Sequence, residues 1–239
     1  MNAIQITGLS RDYGKRRVVD RLSLTVAQGE LFALLGVNGA GKSTTIKMLC
    51  CLTAPTEGDA ALMGRSVRTD SPGAREVLAV SPQETAVAPN LTVRENLELM
   101  AGVYRRPREA AEEVLEDLGL GQWAGQQART LSGGWQRRLS IAMALVSRPE
   151  VLFLDEPTLG LDVLARRELW GVIRRLKGRT AIVLTTHYLE EAEALADRIG
   201  VMAAGRLRAV GTAEKLKALA GCETFEDAFV ALAGEGAAS

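Results

Sequence analysis

The segment Gly36-Val-Asn-Gly-Ala-Gly-Lys-Ser43 has the spacing G-x-x-x-x-G-K-[ST] and lies between an apolar run, Leu31-Phe-Ala-Leu-Leu35, and a helical stretch from Lys42 to Leu52. That is the setting in which this spacing binds phosphate. Glycines let successive backbone N–H groups turn toward one anion, and the start of a helix adds partial positive charge. Gly36, Asn38, Gly39, Ala40 and Gly41 would form the cradle, Lys42 would reach the outer phosphates, Ser43 would offer a hydroxyl to Mg²⁺, and Thr44 would donate to phosphate. A second apolar run, Val151-Leu-Phe-Leu154, ends in Asp155 and Glu156. Carboxylates at the carboxyl end of a buried strand sit where open α/β sheets bind ligands. Asp155 suits Mg²⁺, a hard cation that prefers oxygen, and Glu156 suits a general base that polarises water. The single histidine, His187, directly follows a third apolar run, Ala181 to Thr186. Together the three segments outline a nucleotide-hydrolysing site. Leu131-Ser-Gly-Gly-Trp135 precedes another helical run, Gln136 to Ser147. Its Ser132, Gly133 and Gly134 suit either a second anion-binding helix start or an ordinary N-cap.

These side chains need a scaffold that holds strand ends together. From Asn2 to Val26 the residues alternate as short strands with turns at Tyr13-Gly-Lys15 and Gln28-Gly29, which predicts an antiparallel patch. Leu31 to Leu35 is continuously apolar, as in a strand buried on both faces. From about Thr92 to Ser147 the apolar period is helical, through Leu97, Met100, Val103, Val114, Leu115 and Leu118. After Pro149 the apolar runs return, at 151–154, 181–186 and 199–202, with helices between. Alternating strand and helix predict a parallel sheet covered on both faces, so the helical segment, placed at 84–148, is an insertion into an α/β core. The tail begins at residue 221; Glu223 to Leu232 reads as a short amphipathic helix, and Gly234 to Ser239 as frayed.

With 239 residues the chain suits one domain. Lys+Arg and Asp+Glu both number 29, which leaves no global field to hold a polyanion and argues against nucleic acid as a partner. The clusters Lys15-Arg-Arg17 and Arg105-Arg106 read as solvated charge. No stretch approaches the roughly 20 apolar residues of a membrane span, and the start lacks the pattern of a signal peptide. Cys50, Cys51 and Cys222 are odd in number and lack metal-ligand spacing, which points to a reducing compartment.

The order of these motifs resembles the ATP-binding cassette family over about Ile4 to Leu219. The resemblance implies an α/β fold of the P-loop NTPase (RecA-like) class, with a parallel-sheet core, an N-terminal antiparallel subdomain and an inserted helical subdomain. It implies an ATP hydrolase that uses ATP and Mg²⁺. Two ATP molecules would be sandwiched in a head-to-tail dimer, of like chains or of paired ATPase subunits, with Ser132, Gly133 and Gly134 of one subunit capping the nucleotide on the other's loop. Tyr13 would stack on adenine. Gln83, after Val80-Ser-Pro82, would sense Mg²⁺ and water while linking the insertion to the core. Asp162, in Leu159-Gly-Leu-Asp162, would act across the dimer and cap the next helix, and His187 would contact the γ-phosphate and orient Glu156. Trp135 departs from the family, where glutamine is usual at this place; it would tune closure or simply pack. Gln83-Glu84, Asn90 to Arg94, Tyr188 to Ala192 and Thr224 to Phe229 resemble stand-alone ATPases of drug, antibiotic, lipid or polysaccharide exporters. Such a subunit would be cytoplasmic, held on the inner face of the membrane by separate transmembrane permease subunits. The alternatives are an ATPase of the same family acting on ribosomes or DNA, and a nucleotide-binding module without hydrolysis.

Overall fold

In the computed structural model, which describes residues 1–234, the N-terminal patch is a long antiparallel hairpin of β1 (Asn2–Tyr13) and β2 (Arg16–Ala27). The chain then enters the core through β3 (Leu31–Leu35), and the glycine loop leads into α1 (Lys42–Leu49). The helix is shorter than the sequence suggests. Cys51 adopts φ 55°, a left-handed conformation that ends it before Leu52. Next, β4 (Glu57–Leu62) and β5 (Arg65–Ser66) return to the antiparallel sheet, giving the order β2-β1-β4-β5. These two strands lie beyond the segment from which that sheet was predicted.

A short helix, α2 (Ser71–Val77), leads to β6 (Leu78–Ser81), and the helical segment follows with α3 (Val93–Val103), α4 (Glu109–Asp117) and α5 (Gly133–Leu145). Thr92 and Glu95 form a capping box that fixes the start of α3, each accepting an orphan N–H of the other. The core resumes with β7 (Val151–Asp155), α6 (Val163–Leu176), β8 (Ala181–Thr186), α7 (Leu189–Leu195), β9 (Arg198–Ala203) and β10 (Arg206–Gly211). The six-stranded sheet has the order β10-β9-β3-β8-β7-β6, parallel except for β10 on the edge.

Why the core runs are continuously apolar is visible in β7 and β8. Val151, Phe153, Ala181 and Val183 pack with β1, β2 and α1 on one face. Leu152, Leu154, Ile182 and Leu184 pack with α3 to α6 on the other. Both faces are buried, so alternation disappears. The tail forms α8 (Ala213–Ala220) and α9 (Phe225–Gly234), and Phe225, Ala228 and Leu232 line the buried side of α9. The amphipathic helix expected over 223–232 is thus two residues displaced. Gly234, expected to fray, is the last described residue of this helix, and the rest of that stretch lies outside the described residues.

Candidate active site

The glycine loop follows β3 and is clamped by neighbouring backbone. A Cβ on Gly36 would lie 2.4 Å from the Met202 carbonyl oxygen, so no other residue fits there. Gly41, at the start of α1, has φ 105° and would meet the Val18 carbonyl at 2.8 Å. Lys42 is buried beneath the loop, and its Nζ donates to the carbonyls of Gly36 at 2.6 Å and Val37 at 3.4 Å. It also pairs with Glu156 Oε1 at 3.4 Å.

Glu156 is 6% exposed and adopts φ 48°, a conformation that costs about 1–3 kcal/mol for a residue with a Cβ. Its backbone N–H is held by the carbonyl and the hydroxyl of Thr185, each at 3.1 Å. The turn aims the carboxylate back over the loop. Oε1 faces Lys42 and Oε2 accepts from His187 Nδ1 at 2.8 Å. With that proton committed, a hydrogen bond donated from Nε2 to a phosphate requires the doubly protonated ring.

Asp155 is half-buried, and its Oδ1 accepts from the Thr185 hydroxyl and from Ser43 Oγ, the latter at 3.4 Å. Ser43 and Asp155 thus present hard oxygens at one point, which suits Mg²⁺. Among the described residues no group of three His, Cys, Asp or Glu could hold a metal.

A cavity of about 490 Å³ lies over these groups, lined by Tyr13, Asn38, Gly39, Ala40, Gly41, Lys42, Ser43, Thr44, Gln83, Glu156 and His187. Gly36 and Asp155 stand just behind this lining, bonded to Lys42 and Ser43. Tyr13 is 47% exposed, and the Arg11 guanidinium lies 4.7 Å over its ring. The cluster Lys15-Arg-Arg17 is not simply solvated: Arg16 lines the cavity, and Arg17 pairs with Asp12, Asp20 and Glu57.

Four expected residues lie apart from this cavity. Asp162 caps α6, accepting from the N–H groups of Leu164 and Ala165 at 2.9 Å. Ser132 stands at the N-cap position of α5, yet its side chain makes no capping bond and is exposed with Gly133. Gly134 meets the start of α6, where a Cβ would come within 3.0 Å of Ala165. Trp135 packs: its ring lies 5.4 Å from that of Trp123, under the Arg138 guanidinium at 4.1 Å.

Two buried charged side chains, Arg137 and Glu191, are not evident in the sequence. Arg137, 4% exposed on α5, is bonded to carbonyls on both sides of Glu156 and at Gln83. Glu191, fully buried on α7, accepts from Trp170 Nε1 at 3.1 Å, and burial pushes its carboxyl above the usual glutamate range. Helical phase offers a signal for the first, because Arg137 lies one turn from Ser140 and Ile141 and two turns from Ala144, all buried.

Comparison with known proteins identifies the family. A sequence model of the ABC transporter family matches residues 19–159. The chain is 43% identical over 224 residues to the daunorubicin/doxorubicin resistance ATP-binding protein DrrA of Streptomyces peucetius, covering 92% of this chain and 68% of that one. It is 43% identical over 232 residues to the Nod factor export ATP-binding protein I of Rhizobium sp. (strain N33), covering 94% and 76%. An ATP-binding subunit of an ABC transporter superposes with a TM-score of 0.85 at 29% identity, covering 96% of this chain and 99% of that one. An ATP-binding cassette solved as a dimer in a post-hydrolysis state with ADP and phosphate gives 0.76 at 26%, covering 87% and 98%. The chain belongs to the ABC transporter family, as an ATP hydrolase.

Proposed function

We propose that the chain powers export through separate membrane subunits, closing as a dimer around two MgATP. The observation that carries this reading is Glu156, turned by its left-handed backbone to stand between Lys42 and His187 beside the glycine loop. In the proposed site Gly36, Asn38 to Gly41, Lys42 and Thr44 hold the phosphates, and Tyr13 stacks on the base. Ser43, Asp155 and Gln83 would hold Mg²⁺, which screens phosphate charge. Glu156 takes a proton from the attacking water, and His187 holds Glu156 in place through the Nδ1 bond.

The dimer is supported by what lies elsewhere on the surface. The Ser132 hydroxyl is not used in capping, and Ser132, Gly133 and Asp162 are exposed outside the cavity of their own chain. They serve the nucleotide of the other copy. Among the described residues no helix is long and apolar enough to cross a membrane, and the separate membrane subunits are part of the proposal. Export follows the relatives, which are named for drug resistance and Nod factor export; the membrane subunit would select the cargo and keep the chain on the inner face of the membrane. These relatives favour transport over action on ribosomes or DNA.

The test is Glu156→Gln. Losing a general base should cut turnover by about 10²–10⁴-fold, while MgATP still binds and drives dimers, since ATP prefers the closed state. Adding Ser132→Arg places bulk and charge in the interface and should abolish those dimers with ATP binding retained. Parental turnover in Glu156→Gln would remove the base assignment, and dimers that survive Ser132→Arg in light scattering would remove the sandwich.

A further inference from the structure

We propose that Arg137 is a positioning residue for hydrolysis, a tether that fixes the loops carrying Gln83 and Glu156 to the start of α5. The proposal rests on the reading of Gln83 and Glu156 as the groups that act on water and Mg²⁺. Arg137 follows Gly133 by one helical turn and is 4% exposed. Its Nε donates to the Pro157 carbonyl at 2.9 Å and its Nη2 to the Asp155 carbonyl at 2.8 Å. Its Nη1 donates to the carbonyls of Pro82 and, at 3.2 Å, Gln83. One guanidinium thus grips the chain on both sides of Glu156 and at Gln83.

Every one of these bonded acceptors is a main-chain carbonyl, and the carboxylates of Asp155 and Glu191 favour the charged form only from a distance. Burial holds its pKa down to about 10, which leaves it protonated at neutral pH. An apolar side chain of similar volume would join α5 to the sheet without that desolvation cost. The same helix already has an uncharged link to the core, the buried Ser140–Ser81 hydroxyl pair at 3.1 Å. What the guanidinium adds is direction, because its planar fork fixes several donors at once. Two loops from different strands are thereby held in one frame with α5. A displacement of Ser132 to Gly134, when that segment meets the nucleotide of the other copy, is transmitted within one helical turn to Glu156 and Gln83.

The experiment is steady-state ATP hydrolysis by the whole chain carrying Arg137→Met, Arg137→Lys or, as control, Ser140→Ala. Misplacing a reacting group by about 1 Å costs on the order of 10²-fold, so Arg137→Met should lose about that much kcat. Its KM for ATP should stay within about threefold, because the phosphate cradle is untouched. The Mg²⁺ concentration for half-maximal rate should rise, which a merely loosened helix does not cause. Arg137→Lys, which keeps the charge but not the fork, should recover part of the loss, and it carries the test alone if the methionine variant fails to fold. Ser140→Ala removes a buried bond between the same elements and should lower the melting temperature while keeping kcat. The proposal is overturned if the folded Arg137 variants keep parental kcat and Mg²⁺ dependence, or if Ser140→Ala reproduces their loss. Glu156→Gln run alongside separates the two readings: full turnover there removes the site assignment itself, whereas its loss beside a fully active Arg137→Met removes only the tether.

Discussion

Removing Lys42 should destabilise the folded chain even with no nucleotide in solution, and the cause should be Glu156. Both side chains are about nine-tenths buried, with Nζ 3.4 Å from Oε1. At an effective dielectric constant of about 20, charges at that distance attract by about 5 kcal/mol before desolvation is counted. Lys42→Met leaves Glu156 buried with only His187 as partner, and breaking a buried pair in this way costs about 3–5 kcal/mol. In a Glu156→Gln background the same change loses only the bonds to the carbonyls of Gly36 and Val37, about 2 kcal/mol. The two substitutions should therefore couple by about 1–3 kcal/mol. Urea unfolding of the parent, both single variants and the double, in EDTA and without nucleotide, measures that coupling directly. Free energies that add to within about 0.5 kcal/mol would show that Lys42 and Glu156 do not interact in the folded chain, whatever their separation.

Two further outcomes follow from groups around the cavity. Tyr13→Ala should raise KM for ATP by about 5- to 150-fold with little change in kcat, because stacking on a base is worth about 1–3 kcal/mol in ground and transition states alike; a fall in kcat at constant KM in initial-rate measurements would contradict stacking. Glu191, whose carboxyl is raised by burial, binds its proton more tightly folded than unfolded. Its contribution to stability is full below the unfolded glutamate value near 4.3 and is lost as pH rises through the higher folded value. Glu191→Gln should flatten the decline of unfolding free energy over that window, measured by urea titration at each pH, and identical pH slopes in parent and variant would contradict it.

The parts of the site that could be read from sequence are those where chemistry dictates the residue. The loop from Gly36 to Thr44 is legible because Gly36 has no room for a Cβ and Gly41 needs a left-handed backbone, so spacing and geometry are the same information. The apolar runs before Leu35, Asp155 and His187 are legible because β3, β7 and β8 are buried on both faces. What the sequence hides is burial decided by distant segments. Gln136-Arg137-Arg138 is a polar triplet in the sequence, and only the arrival of the loops at 82–83 and 155–157 turns the middle residue inward. Arg16 is hidden for the converse reason, since a hairpin residue beside two other cations gains meaning only when the hairpin leans over the glycine loop.

The hidden residues share a physical character that separates them from the motif residues. Lys42, Glu156 and His187 are charged or titratable groups paired with one another at the cavity wall, where their mutual contacts can be exchanged for contacts to a bound anion. Arg137 is bonded wholly to backbone carbonyls and Glu191 to the Trp170 indole, so neither has a partner that a ligand could replace. A charge tied to backbone cannot follow a ligand; it can only fix the backbone that carries those carbonyls. The strained turn at Glu156 requires such fixing, because a left-handed glutamate relaxes unless its neighbours hold it. Thr185 holds its N–H from β8, and Arg137 holds the carbonyls on either side of it from α5. The Glu156 carboxylate is therefore positioned jointly by the parallel sheet and by the helix that begins at Gly133, and a change in either reaches it through bonds of 3.1 Å or less.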